Sequence, residues 1–177
     1  METLLTTQPP RTIREVYDAL PEGTLAQLIS SQLVMAPAPT YSHQKILNII
    51  NRKIADYVEQ KGLGEIIISP FDVHLDEENI FQPDIQFLRK DQLPKIQKDG
   101  FHGAPALVIE LLSPGTARYD LQQKKDVYER SGVQEYFIVD PDTREVEGYF
   151  LENGKYGKVS QTKGTISSRL LEKDFQF

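Results

Sequence analysis

The stretch Ala106-Leu107-Val108-Ile109-Glu110-Leu111-Leu112 constrains this chain more than any other. A nearly continuous apolar run of this length, broken by Ser113-Pro114-Gly115-Thr116, reads as a strand buried on both faces, at the centre of a sheet covered by helices. Glu110 interrupts it. Burying an ionised carboxylate costs several kcal/mol unless a cation or good donors compensate, so Glu110 requires a partner. A salt bridge to a nearby lysine, exposure near the strand end and a bound metal ion all satisfy that requirement.

The flanking segments supply the rest of a mixed sheet. Residues 1–12 read as a flexible N-terminal tail and 13–177 as one domain, the default expectation at 177 residues. A short helix is expected at Ile13 to Leu20, then a strand pair over Leu25 to Met35 turning near Ser30 and Ser31. From Ser42 to Lys61 the positions Ile46, Ile49, Ile50, Ile54, Tyr57 and Val58 recur at helical spacing, with Thr40 or Ser42 as N-cap and Gly62 and Gly64 as terminators. Strands are expected at Glu65 to Ser69, Phe71 to Leu75 and Pro83 to Leu88, the first two being one bent strand or two. Arg89 to Pro105 is a long connection carrying Lys90, Lys95 and Lys98, either a docking strip or a solvated loop. A helix over Ala117 to Ser131 ends at Gly132, and strands at Gln134 to Val139, Glu145 to Leu151 and Gly157 to Thr162 follow. The order predicts an α/β (α+β) fold, a mixed sheet flanked by helices.

Composition narrows the chemistry. The chain has no cysteine, which excludes disulfides, thiolate-metal sites and cysteine nucleophiles. Its three histidines, His43, His74 and His102, stand far apart without ligand spacing, so any metal is expected to be held by oxygen. No apolar run approaches the ~20 residues of a membrane span. The start lacks the basic and apolar regions of a secretory signal, so a cytoplasmic location is expected. A formal charge of −6 argues against a protein that coats nucleic acid, but an acidic metal site contributes to that charge and a local basic strip can still dock a phosphate backbone.

Asp84 gives Glu110 a possible co-ligand. Strand alternation sends Asp84, Gln86 and Leu88 to one face, and if this strand lies beside the Glu110 strand the two acids converge. Two carboxylates suit an oxygen-preferring ion such as Mg²⁺. Phosphodiester hydrolysis also needs a cation near the developing charge, and Asp120, Lys124 and Tyr128 share one face of the following helix. With Tyr128 turned to the core, the long stem of Lys124 can reach the sheet. The alternative is an Asp120–Lys124 surface pair without function.

Pro83-Asp84, Glu110-Leu111-Leu112-Ser113-Pro114, Asp120…Lys124…Tyr128 and Gly132-Val133-Gln134-Glu135-Tyr136-Phe137-Ile138-Val139-Asp140-Pro141, in that order, resemble the restriction endonuclease family of unknown function within the PD-(D/E)XK superfamily. Leu33-Val34-Met35-Ala36-Pro37-Ala38-Pro39, His43-Gln44 and Pro70-Phe71-Asp72-Val73 extend the resemblance nearly end to end. It implies a restriction endonuclease-like core, with Asp84 and Glu110 holding Mg²⁺ or Mn²⁺ and the Leu111 carbonyl as a further ligand. The superfamily lysine would fall at Leu112; the resemblance implies that Lys124, on the next helix, takes its place. Where the family carries a glutamate in a stretch like Glu-Leu-Ile-Asp-Gly-Glu-Leu, this chain has Gln27-Leu28-Ile29-Ser30-Ser31-Gln32-Leu33. Gln27 can accept a hydrogen bond but brings no charge. His43 is carried over as a possible phosphate-binding neighbour.

Two functions follow as expectations. One is a metal-dependent endonuclease acting on DNA as a homodimer, with Lys90, Lys95 and His43 aiding substrate binding. The other is a weakened or inactive nuclease-fold module that binds nucleic acid or a protein partner. Hydrolysis of a smaller phosphate ester shares the same metal chemistry.

Overall fold

The computed structural model describes residues 9–113 and 117–177, apart from the side chains of 117–121, 158 and 159. Residues 1–8 of the expected tail lie outside the described residues, but its last positions are engaged: Thr12 caps α1 (Ile13–Asp18) by accepting the Glu15 N–H at 3.1 Å.

The expected strand pair is a hairpin of β1 (Ala26–Ile29) and β2 (Gln32–Met35). Ser30 and Ser31 turn it with positive φ angles of 48° and 60°, the twist that suits a two-residue hairpin. Helix α2 (Tyr41–Lys61) follows, opened by Thr40, whose hydroxyl accepts the His43 N–H, and closed by Gly62 in the left-handed region. Next come β3 (Gly64–Ile68), β4 (Val73–Asp76), β5 (Asn79–Phe81) and β6 (Ile85–Arg89). The segments on either side of Pro70 are therefore two strands, and they join different sheets.

The expected loop from Arg89 to Pro105 is ordered. It holds a 3₁₀ turn at Leu93–Lys95, then β7 (Ile96–Gln97) and β8 (Gly100–His102), with Leu93, Ile96 and Phe101 packed on Val73 and Leu88. Its apolar positions were too sparse to announce strands, yet each fills a gap at the sheet margin. The central strand is β9 (Leu107–Leu111), buried throughout. Helix α3 (Ala117–Ser131), β10 (Glu135–Val139), β11 (Glu145–Glu152) and β12 (Lys155–Lys163) complete the expected set. Two further strands, β13 (Thr165–Ser168) and β14 (Lys173–Gln176), form a C-terminal hairpin. The buried Glu135 carboxylate ties it down, accepting from the Ser168 hydroxyl and the Leu170 N–H, each at 2.6 Å.

The main sheet runs β12-β11-β10-β9-β6-β3 and a second runs β2-β1-β5-β4-β8-β7. β9 pairs parallel with β10 and antiparallel with β6, so the main sheet is mixed, as expected. Strand alternation divides its two faces. Leu107, Ile109, Leu111, Ile85 and Phe87 pack with Ile46, Leu47, Ile50, Ile54 and Val58 of α2 and with the C-terminal hairpin. On the other face, Val108 and Tyr136 meet Val127 and Tyr128 of α3 and Ile29 and Phe81 of the second sheet. Among the described residues, no helix is long and apolar enough to cross a membrane.

His74 and His102 correct one expectation. Distant in sequence, they are register partners on β4 and β8, and their rings stack with centroids 4.3 Å apart.

Candidate active site

The register places both acids on the α3 side of the main sheet. Ile85 pairs with Ile109, so Asp84 and Glu110, the next positions outward, fall opposite each other on the same face. Asp84 Oδ2 accepts the Leu111 N–H at 2.7 Å and lies 3.3 Å from His43 Nε2. His43 reaches it from the first turn of α2, where the Thr40 cap fixes the backbone.

Glu110 is buried, and its partner is Lys124. The ammonium donates to Glu110 Oε1 at 2.9 Å, and the Tyr128 hydroxyl, one turn further along α3, donates to the same oxygen at 2.8 Å. The predicted face of Lys124 and Tyr128 thus points at the sheet, while the side chain of Asp120 lies outside the described residues. Burial pushes the Glu110 carboxyl up, against the charge of Lys124, which lowers it; the nearby Asp84 raises it further. Burial and the Glu110 charge push Tyr128 well above the phenol range, so it remains a donor. For His43, burial pulls the imidazole down, but the hydrogen bond and charge of Asp84 prevail, and its pKa is raised.

Asp84, Glu110, Lys124 and His43, but not Tyr128, line a cleft of about 310 Å³ whose walls come from the β1–β2 hairpin, the start of α2 and Ser69-Pro70. Gln27 lines it, but its amide oxygen is already used, accepting the Gln82 N–H at 3.1 Å. Leu111 and Leu112 line it too. Lys90 and Lys95 do not. Both are exposed, and roughly 20 Å of strand separates Asp84 from Lys90. The structure therefore brings together Asp84, Glu110, Leu111, Lys124, Gln27 and His43, and leaves the two lysines of the long connection elsewhere. Tyr128 as a donor to Glu110 was concealed because a tyrosine at a core position of a helix reads as packing. The His43–Asp84 contact has no local signal at all.

The donor set fits a hard divalent cation. Asp84 Oδ1 and Glu110 Oε2 take no hydrogen bond from the described residues. Asp84 and Glu110 both line the cleft, and carboxylate oxygens are the donors such an ion prefers.

The sequence matches the family model Uma2, described as "Putative restriction endonuclease", over residues 14–177. No curated protein matches the chain. Among solved structures, a putative nuclease belonging to DUF820 from Anabaena variabilis shares the fold with a TM-score of 0.65, at 18% identity over 84% of this chain and 83% of that one. With most of its length matched, and with Asp84 just before β6 and Glu110 of β9 gathered beside Lys124, this chain belongs to the Uma2 family of putative restriction endonucleases.

Proposed function

We propose that the chain is a Mg²⁺- or Mn²⁺-dependent endonuclease that hydrolyses phosphodiester bonds of DNA in this cleft. The observation that carries the reading is the convergence of Asp84, Glu110 and Lys124 at the end of two adjacent strands. Asp84 and Glu110 would hold the ion, with the Leu111 carbonyl as a further ligand. When bound, the ion supplies Lewis acidity and a nucleophilic water at neutral pH. Hydrolysis joins the water oxygen to phosphorus and breaks one ester P–O bond, with one water proton ending on the leaving oxygen. Lys124 is positioned to steady the negative charge that grows on the phosphoryl oxygens. Tyr128 keeps the Glu110 carboxylate in one orientation, and the Leu111 N–H and His43 do the same for Asp84. His43 acts through Asp84, since its Nε2 faces that carboxylate and its Nδ1 is buried.

Incubating plasmid and linear DNA with each metal tests the reading, with Asp84→Ala as control. Nicking that needs Mg²⁺ or Mn²⁺ and vanishes in the control is the expected result; cleavage that persists in the control removes Asp84 from the mechanism.

Gln27 favours a second reading, a nuclease-fold module that binds nucleic acid or a protein partner without cutting it. The amide oxygen is committed to Gln82 and adds no charge to the cleft. Gln27→Glu distinguishes the two, because a silent wild type that gains metal-dependent cleavage belongs to the second. A cytoplasmic homodimer belongs to either reading, on the general prevalence of twofold assemblies, and sedimentation tests it.

A further inference from the structure

One wall of the cleft is apolar and open to solvent. It is made by Val34 and Met35 of β2 and by Ala36, Pro37 and Pro39 of the segment that leads into α2. Met35 is 58% exposed, although a methionine ordinarily packs inside. Tyr41, the first residue of α2, is 81% exposed, and Gln44, three positions on, lines the cleft. Residues at that spacing are neighbours on a helix surface, so Tyr41 continues the wall past the rim. The Gln44 side-chain amide makes no hydrogen bond with the described residues.

Cations are scarce here. Among the described residues only Lys124 and His43 bring positive charge to the lining, and each is already engaged, by Glu110 at 2.9 Å and by Asp84 at 3.3 Å. A continuous duplex is held through many phosphates, each met by a lysine or arginine, whereas this chain carries a formal charge of −6. The size agrees. A cleft of about 310 Å³ lies at the small end of the roughly 300–1,000 Å³ typical of small-ligand sites, room for a group the size of one nucleotide and not for paired strands.

We infer that the substrate enters this cleft as single-stranded DNA, with the base of one unstacked nucleotide against Val34, Met35, Pro37 and Pro39, its polar edge toward Gln44, and the neighbouring base on Tyr41.

The inference rests on the nuclease reading for the phosphate at the floor of the cleft and adds the strand state of the substrate. Every base has a π-face that duplex stacking covers and a single strand exposes, so a wall without charge still gains from it. Gln44 offers an acceptor and two donors, which suit the base edge that pairing hides in a duplex. An apolar protein segment would fit the wall but not the floor. Seated there, it would strip water from Asp84 and Glu110 without supplying a cation, whereas a nucleotide brings a phosphate to share the ion those carboxylates suit.

The test reads binding. Anisotropy of a short labelled single strand, and of the blunt duplex made from it, is measured with the full chain in Ca²⁺, an ion that takes oxygen ligands as Mg²⁺ does, while a gel confirms that the DNA stays intact. The single strand should bind about tenfold more tightly than the duplex, and Met35→Glu and Tyr41→Ala, both at exposed positions, should each weaken it about fivefold or more. Gln44→Ala should narrow the differences in affinity among strands of single-base composition. Equal or tighter binding of the duplex, or undiminished single-strand binding in either Met35→Glu or Tyr41→Ala, overturns the inference. So does a Met35→Glu variant that changes only the sedimentation of the chain, which would mark the wall as a contact between two copies. Metal-dependent cutting of duplex with no binding preference sinks this inference and leaves the nuclease reading standing; a preference for the single strand with no cutting of any DNA in Mg²⁺ or Mn²⁺ does the reverse.

Discussion

The acidic cleft and the histidine cluster are built on the same plan and differ in what surrounds them. Each begins with two residues facing each other across adjacent strands, Asp84 and Glu110 in the main sheet, His74 and His102 in the second. In the cleft, α3 covers the pair, so Glu110 is only 5% exposed and its charge must be answered inside the protein by Lys124 and Tyr128. At the cluster, the Asp99 carboxylate, 3.0 Å from His102 Nε2 and 3.8 Å from His74 Nε2, is 59% exposed and water answers its charge. The strand pairs differ in direction, antiparallel in the cleft and parallel at the cluster, but it is desolvation that gives their cross-strand contacts unequal weight.

The largest test of that contrast is Lys124→Met. It leaves a buried carboxylate uncompensated and should cost about 3–5 kcal/mol in urea denaturation at neutral pH, while Glu110→Gln with Lys124→Met should restore most of the loss. Removing the lysine drives the already raised Glu110 carboxyl higher. A carboxyl raised on folding contributes stability below its unfolded value, about 4.3, and loses it as pH rises through the folded value. The deficit of Lys124→Met should therefore shrink as the pH is lowered toward that range. A deficit independent of pH breaks the comparison.

Tyr128→Phe comes next. It removes one hydrogen bond to a charged group and should cost about 1.5–3 kcal/mol by the same denaturation, with the core otherwise intact. His43 gives a smaller effect, confined to a pH window. Its raised imidazole pKa means that the Asp84 contact stabilises the fold below the unfolded histidine value, about 6.5, and that this contribution fades as pH rises through the folded one. An NMR titration should place the His43 midpoint above the ordinary value in the wild type and lower it in Asp84→Asn. The smallest effect belongs to Asp99→Asn, where loss of exposed contacts should change stability by well under 1 kcal/mol. A loss as large as that of Lys124→Met would erase the distinction between the two regions.

Legibility in the sequence followed the same divide. Glu110 was conspicuous because a charge inside an apolar run violates a pattern, and Asp84 and Lys124 could be attached to it through strand and helix periodicity. The hairpin at Ser30 and Ser31 and α2 were legible for the same reason, since each is a local periodicity closed by a turn or a cap. The β7–β8 excursion and the C-terminal hairpin were not. Their strands are too short to show a period, and they are held by distant partners, Val73 and Leu88 in one case and Glu135 in the other.

By itself, then, the sequence determined which strand is central, which face of α3 turns inward, and that a buried carboxylate needed a partner, because these depend on residues a few positions apart. Only the tertiary structure decided that the partner includes Tyr128, that His43 meets Asp84, that Gln27 spends its oxygen on Gln82, and that Lys90 and Lys95 stand away from the cleft. It alone brought His74 beside His102 and Asp99. Those contacts join residues tens of positions apart, and sheet register, which no local pattern encodes, is what sets them.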